Sequence, residues 1–177
     1  MTLRGMDWRA RRIVCGTDAD GLSMIVNDGQ APWVERAGGS ILMEIWRMPT
    51  LPPAIDDEDA LDGNLGAAPP AGGAIIRLCT FPPESEMDLD AFEEAMAQTY
   101  GRQPSGEGQT AVRGMHRTAT VDVATLLSGE LYVVLDKGET IMRPGDSLVQ
   151  RGTAHAWSNR SDNPAILVVV MVDAKQN

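Results

Sequence analysis

Apolar and polar residues alternate with a period of two over several separate stretches of the chain, the spacing of half-buried strands. Residues 12–15 and 22–26 flank Gly16-Thr17-Asp18-Ala19-Asp20-Gly21, and an Asp/Gly cluster between two such runs predicts a hairpin. Residues 27–32 read as a further turn. Residues 40–48 are a strand with Leu42, Glu44, Trp46 and Met48 on one face and Ile41, Met43, Ile45 and Arg47 on the other. Residues 74–81 form a strand ended by Pro82-Pro83. Further on, residues 130–135, 147–151, 154–159 and 165–172 are strands, separated by Asp136-Lys137-Gly138, Gly152-Thr153 and Ser161-Asp162-Asn163-Pro164. The last is apolar on both faces, as befits the middle of a sandwich.

Residues 88–100 have the one helical pattern. Asp88 or Asp90 can cap it, Glu93 stands at capping-box spacing from Asp90, and Gly101 ends it. Leu89, Phe92 and Met96 form a stripe, expected to pack on the outside of a sheet, with a lid as the alternative. Residues 49–73, rich in Pro, Ala, Gly and Asp, have no apolar period and read as a long exposed loop, with the acidic run 56–59 solvated. Residues 101–108 are a polar connector. There is no internal repeat.

The 177 residues suit one domain with a substantial core. A formal net charge of −10 argues against nucleic acid and anionic membrane as partners, because both select basic surfaces. The basic start (Arg4, Arg9, Arg11, Arg12, with Trp8) is read as a solvated or packed terminal segment. Asp18-Ala19-Asp20-Gly21 lacks the remaining ligands of a calcium loop. Cys15 and Cys79 lie far apart in apolar runs and are expected to be buried free thiols. No segment has the layout of a signal peptide, and the apolar run 165–172 is too short to span a bilayer. A cytoplasmic protein is the resulting expectation.

The chain's two histidines, His116 and His155, both fall between residues 115 and 159. If residues 116–127 are one strand, His116, Thr118, Thr120 and Asp122 share a face, while Val121 and Val123 share the other. Turns at Gly129 and Pro144-Gly145-Asp146 send the chain back, so that His155 can come opposite His116 and Asp122.

These residues resemble the two motifs of the cupin superfamily. In the first, G-x5-H-x-H-x3,4-E-x6-G, His116 takes the first histidine's place, Thr118 the second's and Asp122 the glutamate's. Gly129 follows six residues after Asp122. In the second, G-x5-P-x-G-x2-H-x3-N, Gly152, His155 and Asn159 fit. Gln150 stands where proline is usual. The resemblance implies an all-β jelly-roll barrel over residues 110–174, preceded by an extension over residues 1–109 that adds strands, the 49–73 loop and the helix. It places this chain beside small single-domain cupins, some of which accompany secondary-metabolite or aromatic-degradation pathways, and implies a small-molecule metalloenzyme. The departures leave His116, Asp122 and His155, the composition of a two-histidine, one-carboxylate site for Fe, Mn, Ni or Zn. The alternatives are a metal-free isomerase with His116 and Asp122 as its acid–base pair, and a ligand-binding protein without turnover.

Around that site, Trp157 is expected to share the interior with His155, with Tyr132, Thr118 and Thr120 as further substrate contacts, and Trp46 is either a plain core residue or a further wall of the pocket. Arg77, inside an apolar run, is expected either to pair with an internal acid such as Glu44 or to clamp a substrate carboxylate. The long loop 49–73 is a candidate cover for the barrel mouth. The N-terminal hairpin is expected to pair with a sheet edge, its own or a second subunit's, which makes a homodimer the expected assembly.

Overall fold

The computed structural model describes residues 6–101 and 112–175. The expected junction between extension and barrel, at residues 109–110, and most of the polar connector lie outside the described residues. The fold is a jelly roll of two antiparallel sheets. The large sheet has the order β3 (Trp33–Glu35), β4 (Ile41–Met48), β5 (Ala74–Phe81), β11 (Ala165–Asp173), β6 (Thr120–Ser128), β9 (Ser147–Arg151). The small sheet is β10 (His155–Ser158), β7 (Leu131–Leu135), β8 (Gly138–Met142). A hairpin of β1 (Arg11–Thr17) and β2 (Ser23–Gln30) stands as a sheet of its own. Two short strands, β3 and β8, were not signalled by the residue pattern, and β2 runs on through residues 27–30, where a turn was expected.

Period-two burial is clearest in β6, where Thr120, Asp122, Ala124, Leu126 and Ser128 are buried and Val121 and Val123 are exposed. β11, apolar on both faces, lies in the middle of the large sheet between β5 and β6. The inward residues of β5, β6, β7 and β11 build the main core, which includes Ile75, Leu126, Leu131 and Leu167. Gly129 turns β6 into β7 with φ +76, and a Cβ there would sit 2.7 Å from the Pro164 carbonyl oxygen, so the turn accepts only glycine.

The chain crosses between sheets at both motifs. Residues 116–127 are not one strand. His116 makes an isolated antiparallel bridge to His155, beside the small sheet, and pairing with the large sheet begins at Thr120. Likewise β9 belongs to the large sheet and β10 to the small one, with Gly152 turning between them at φ +59.

The N-terminal hairpin does not join the edge of the large sheet. Its loop is closed by Asp18, whose Oδ1 accepts from the backbone N–H groups of Asp20 and Leu22, both at 2.9 Å. Ile13, Leu22, Ile25 and Val26 remain exposed. Cys15, expected to be buried, is exposed because this hairpin stands off the body, whereas Cys79 on β5 is buried; both are free thiols. Burial pushes the Cys79 thiol up to about 11. The chain just before β1 packs on the outer face of the large sheet, with Ala10 against Ile41 and Met43 in a second core.

Helix α1 (Leu89–Tyr100) is capped by Asp88, whose carboxylate accepts from the N–H groups of Asp90 and Ala91. Glu93 forms no capping box. Its carboxylate accepts instead from the Gly114 N–H at 2.6 Å. The stripe also does not pack on the outside of the sheet, because Phe92 and Met96 turn toward the barrel's open end. The 49–73 segment has no helix or strand, but it is not simply an exposed loop. Arg12 holds Asp59 at 2.7 Å, Arg47 donates to the Asn64 carbonyl at 2.6 Å, and Arg36 donates to the Leu65 carbonyl at 2.6 Å. Among the described residues, no helix is long and apolar enough to cross a membrane.

Candidate functional site

The open end of the barrel holds a cavity of about 340 Å³. The large sheet contributes Arg77, Cys79 and Phe81 from β5, Asp122 and Ala124 from β6, and Val169 and Met171 from β11. The small-sheet side contributes His116, His155 and Trp157. Phe92, Met96 and Tyr100 of α1 close the mouth, and Ala67 of the long loop reaches its rim. The helix is thus a cover, and the loop shares in that task.

At one wall the two histidines are paired. His116 and His155 exchange both backbone hydrogen bonds, at 2.9 and 3.0 Å. Their ring centroids are 4.3 Å apart at an interplanar angle of 47°. His116 Nδ1 lies 2.9 Å from the Gly114 carbonyl and His155 Nδ1 lies 3.1 Å from the Thr153 carbonyl. A carbonyl can only accept, so each ring carries its proton on Nδ1 and its lone pair on Nε2. Burial lowers the pKa of both; for His155 it acts first and the neighbouring His116 second, bringing it down to about 4. Both imidazoles are therefore neutral at physiological pH.

Asp122 faces the same cavity from the other sheet. Burial raises its pKa, and the Thr120 hydroxyl and the Arg77 charge offset part of that rise. Its Oδ1 is buried without a hydrogen-bond partner among the described residues. The expected His116–Asp122 pair is not formed, because His116 Nδ1 is committed to Gly114 and the carboxylate lies past the sheet crossing. Among the described residues, no three or more His, Cys, Asp or Glu side chains gather closely enough to hold a metal ion. The two imidazoles and the orphaned carboxylate oxygen across the cavity are donor types that divalent ions accept, but they do not converge on one point.

The other expected contacts divide. Trp157 lines the cavity, with its ring 5.7 Å from that of His155 and 6.2 Å from that of Phe81. Thr118 lines it too, and its hydroxyl is hydrogen-bonded to that of Thr120 at 2.7 Å, which places Thr120 one step behind the wall. Trp46 is not in the cavity. A bulge between Glu44 and Trp46 reverses the alternation of β4, so Trp46 pairs with Ile76 and Arg47 with Ile75. Trp46 thereby lies outside, 5.3 Å beneath the Arg12 guanidinium, while Arg47 turns inward to Glu44. Tyr132 is not in it either. Its partner is Ser158, one register step from the Val133–Trp157 pair, so it points to the opposite face, where Arg160 stacks on its ring at 4.3 Å.

Arg77 reaches Glu44, as the pairing expectation has it, and also stands in the cavity wall. Its Nη2 lies 3.5 Å from Glu44 Oε2. Tyr100, Phe81 and Gln150 are cavity residues that the residue pattern did not single out. Phe81 had a signal, since it shares a face with Arg77 and Cys79 at period two. Gln150, at the usual proline position, donates to the Thr153 carbonyl at 2.6 Å and braces the loop that carries His155. Tyr100, whose ring lies 4.6 Å from that of His116, had none, because only the docking of α1 brings it there.

Residues 103–171 match the family model described as cupin domain. A phomopsin biosynthesis cluster protein C' of Diaporthe leptostromiformis is 48% identical over 63 residues, 34% of this chain and 33% of that protein. The cupin-domain-containing oxidoreductase virC of Hypocrea virens is 42% identical over 65 residues, 34% of each chain. The match thus spans about a third of the length of these curated relatives. Among solved structures, a putative ethanolamine utilization protein of Salmonella typhimurium aligns over 95% of this chain and 99% of its own, with TM-score 0.47 and 11% identity.

Proposed function

We propose that this chain, which belongs to the cupin superfamily through its domain at residues 103–171, is a small-molecule oxidoreductase that holds a divalent ion on His116 and His155. The observation that carries this reading is the pair of neutral imidazoles. Each is locked by a backbone carbonyl on Nδ1, which leaves its Nε2 lone pair free at one wall of the cavity. The relatives named cupin-domain-containing oxidoreductases, from Hypocrea virens and Aspergillus ruber among others, support the reaction class, each over about a third of its length. An ion held there would supply Lewis-acid polarisation of a bound oxygen, or electron exchange if it is iron, and the ligand types admit iron, manganese, nickel or zinc alike.

The chain's own residues supply the rest. Asp122 would be the third ligand to such an ion, and its raised pKa lets it hold a proton at Oδ1 where it is not one. Thr120 orients that carboxyl, and Trp157 and Phe81 keep water from the reacting atoms. The test is elemental analysis of tag-free protein beside His116→Ala, His155→Ala and Asp122→Asn. Near-stoichiometric metal lost in both histidine variants is the expected result. Absence of metal after anaerobic supply of Fe(II), Mn(II), Ni(II) and Zn(II) overturns the reading.

A second reading is favoured by the raised pKa of Asp122, a carboxyl able to carry a proton across the cavity from two neutral imidazoles without any ion. Turnover that survives chelation and follows a bell-shaped pH profile would establish it. Stabilisation by a ligand with no product formed would leave a binding protein.

A further inference from the structure

The cavity has a second polar pole besides the histidines. Arg77 comes from the middle of β5, only 3% exposed, among apolar neighbours. A guanidinium so buried is costly unless its charge is matched. Glu44, the acid beside it, is fully buried but is engaged elsewhere. Its Oε1 accepts from Arg47 Nε at 2.9 Å, whereas its contact with Arg77 is a loose 3.5 Å. Arg77's shorter bond goes from Nη2 to the neutral Gly66 carbonyl, at 3.0 Å. Its Nε has no hydrogen-bond partner among the described residues. Asp122 feels the Arg77 charge, but the hydroxyl of Thr120 is its hydrogen-bond partner and its Oδ1 is also unpartnered among the described residues. Two guanidiniums thus share one buried carboxylate, and the one that lines the cavity is the less well matched.

We infer that Arg77 is the anchor for a carboxylate, and that the substrate is a small aromatic or similarly flat apolar acid. Its carboxylate lies on Arg77 and its reacting group reaches the two imidazoles. The inference deepens the reading of His116 and His155 as the reactive centre and rests on it. The apolar walls between the poles, Phe81, Phe92, Met96, Tyr100 and Trp157, suit a flat hydrocarbon body. The planar fork of arginine suits a carboxylate, with two parallel donors for two oxygens. A chain charge of −10 repels anions at a distance, so selection of an acid must be local to this buried donor.

The test titrates the full chain with benzoate, phenylacetate and 4-hydroxyphenylacetate and with the corresponding amides. It reads affinity by calorimetry and the arginine Nε–H resonances by NMR. The acids should bind at least about tenfold more tightly than the amides and shift the Arg77 Nε–H signal. Arg77→Met should equalise the two series. Arg77→Lys, which keeps the charge and lets the protein fold if the methionine variant does not, should keep only part of the preference. Chelator-treated protein should retain it. Preference kept there, with no metal found in the untreated protein, would overturn the metal reading alone. Amides that bind as well as acids, no acid that shifts the Arg77 signal, or an Arg77 variant with undiminished preference would overturn the carboxylate anchor.

Discussion

His116 and His155 face each other across an isolated antiparallel bridge, with both backbone hydrogen bonds made and the rings 4.3 Å apart. One imidazole therefore cannot take a proton without charging a buried space shared with the other. The folded-state pKa of His155 is about 4, against an ordinary value of 6.5. The unfolded chain takes up this proton as pH falls below 6.5 and the folded chain resists it, so the stability tied to neutral His155 is full above pH 6.5 and lost as pH falls toward 4. The loss amounts to about 3 kcal/mol for metal-free protein. Asp122 works the other way, because its raised pKa favours the folded state at low pH. Urea melts of wild type and His155→Asn between pH 4 and 7 isolate the histidine's share. The difference between the two should shrink as pH falls, and a constant difference would contradict the assignment.

Gly129 should be intolerant of any side chain. Gly129→Ala places a methyl 2.7 Å from the Pro164 carbonyl oxygen and 2.8 Å from the Ala165 Cα, at φ +76. A loss of about 2–4 kcal/mol is expected. Gly138→Ala meets no atom within 4 Å, although its φ is +124, and should cost only about 1 kcal/mol. Denaturant midpoints of the two variants make the comparison.

Trp46 and Trp157 should separate stability from binding. Trp157→Ala opens the cavity wall and should weaken benzoate binding by about tenfold. Trp46→Ala removes a ring that lies outside the cavity beneath Arg12, and should lower stability while benzoate affinity is unchanged. Equal effects of the two on affinity would contradict the bulge in β4.

Glu44→Gln removes the buried acid that Arg47 and Arg77 share. Stability should fall by about 3–5 kcal/mol, since two guanidiniums lose their buried counter-charge. In the protein that still folds at low temperature, benzoate should bind more tightly than to wild type, because the ligand's carboxylate then replaces the counter-charge that Glu44 gave Arg77. Weaker binding would show that Glu44 positions Arg77 rather than competing for it.

Much of the fold was legible because burial on one face leaves a period-two trace. β5 and β6 carry it plainly, and the apolar run of β11 marks a strand with neighbours on both sides. Short strands such as β3 and β8 leave no such trace, since three to five residues hold too few alternations. The bulge in β4 defeats the rule outright, because one unpaired residue exchanges the two faces beyond it and moves Trp46 out and Arg47 in.

What the amino-acid order determined alone is local. It placed both histidines, Asp122, Trp157 and the glycine turns, because spacing along a strand and the steric demands of a turn act over a few residues. Only the tertiary structure decided what stands beside them. The first motif crosses from one sheet to the other between His116 and Thr120, so Asp122 faces the imidazoles from across the cavity instead of joining them. Helix α1 brings Tyr100 to His116, and Glu44 is shared between Arg47 and Arg77. Such neighbours are set by the packing of sheets and helix far apart in sequence, which no local period records.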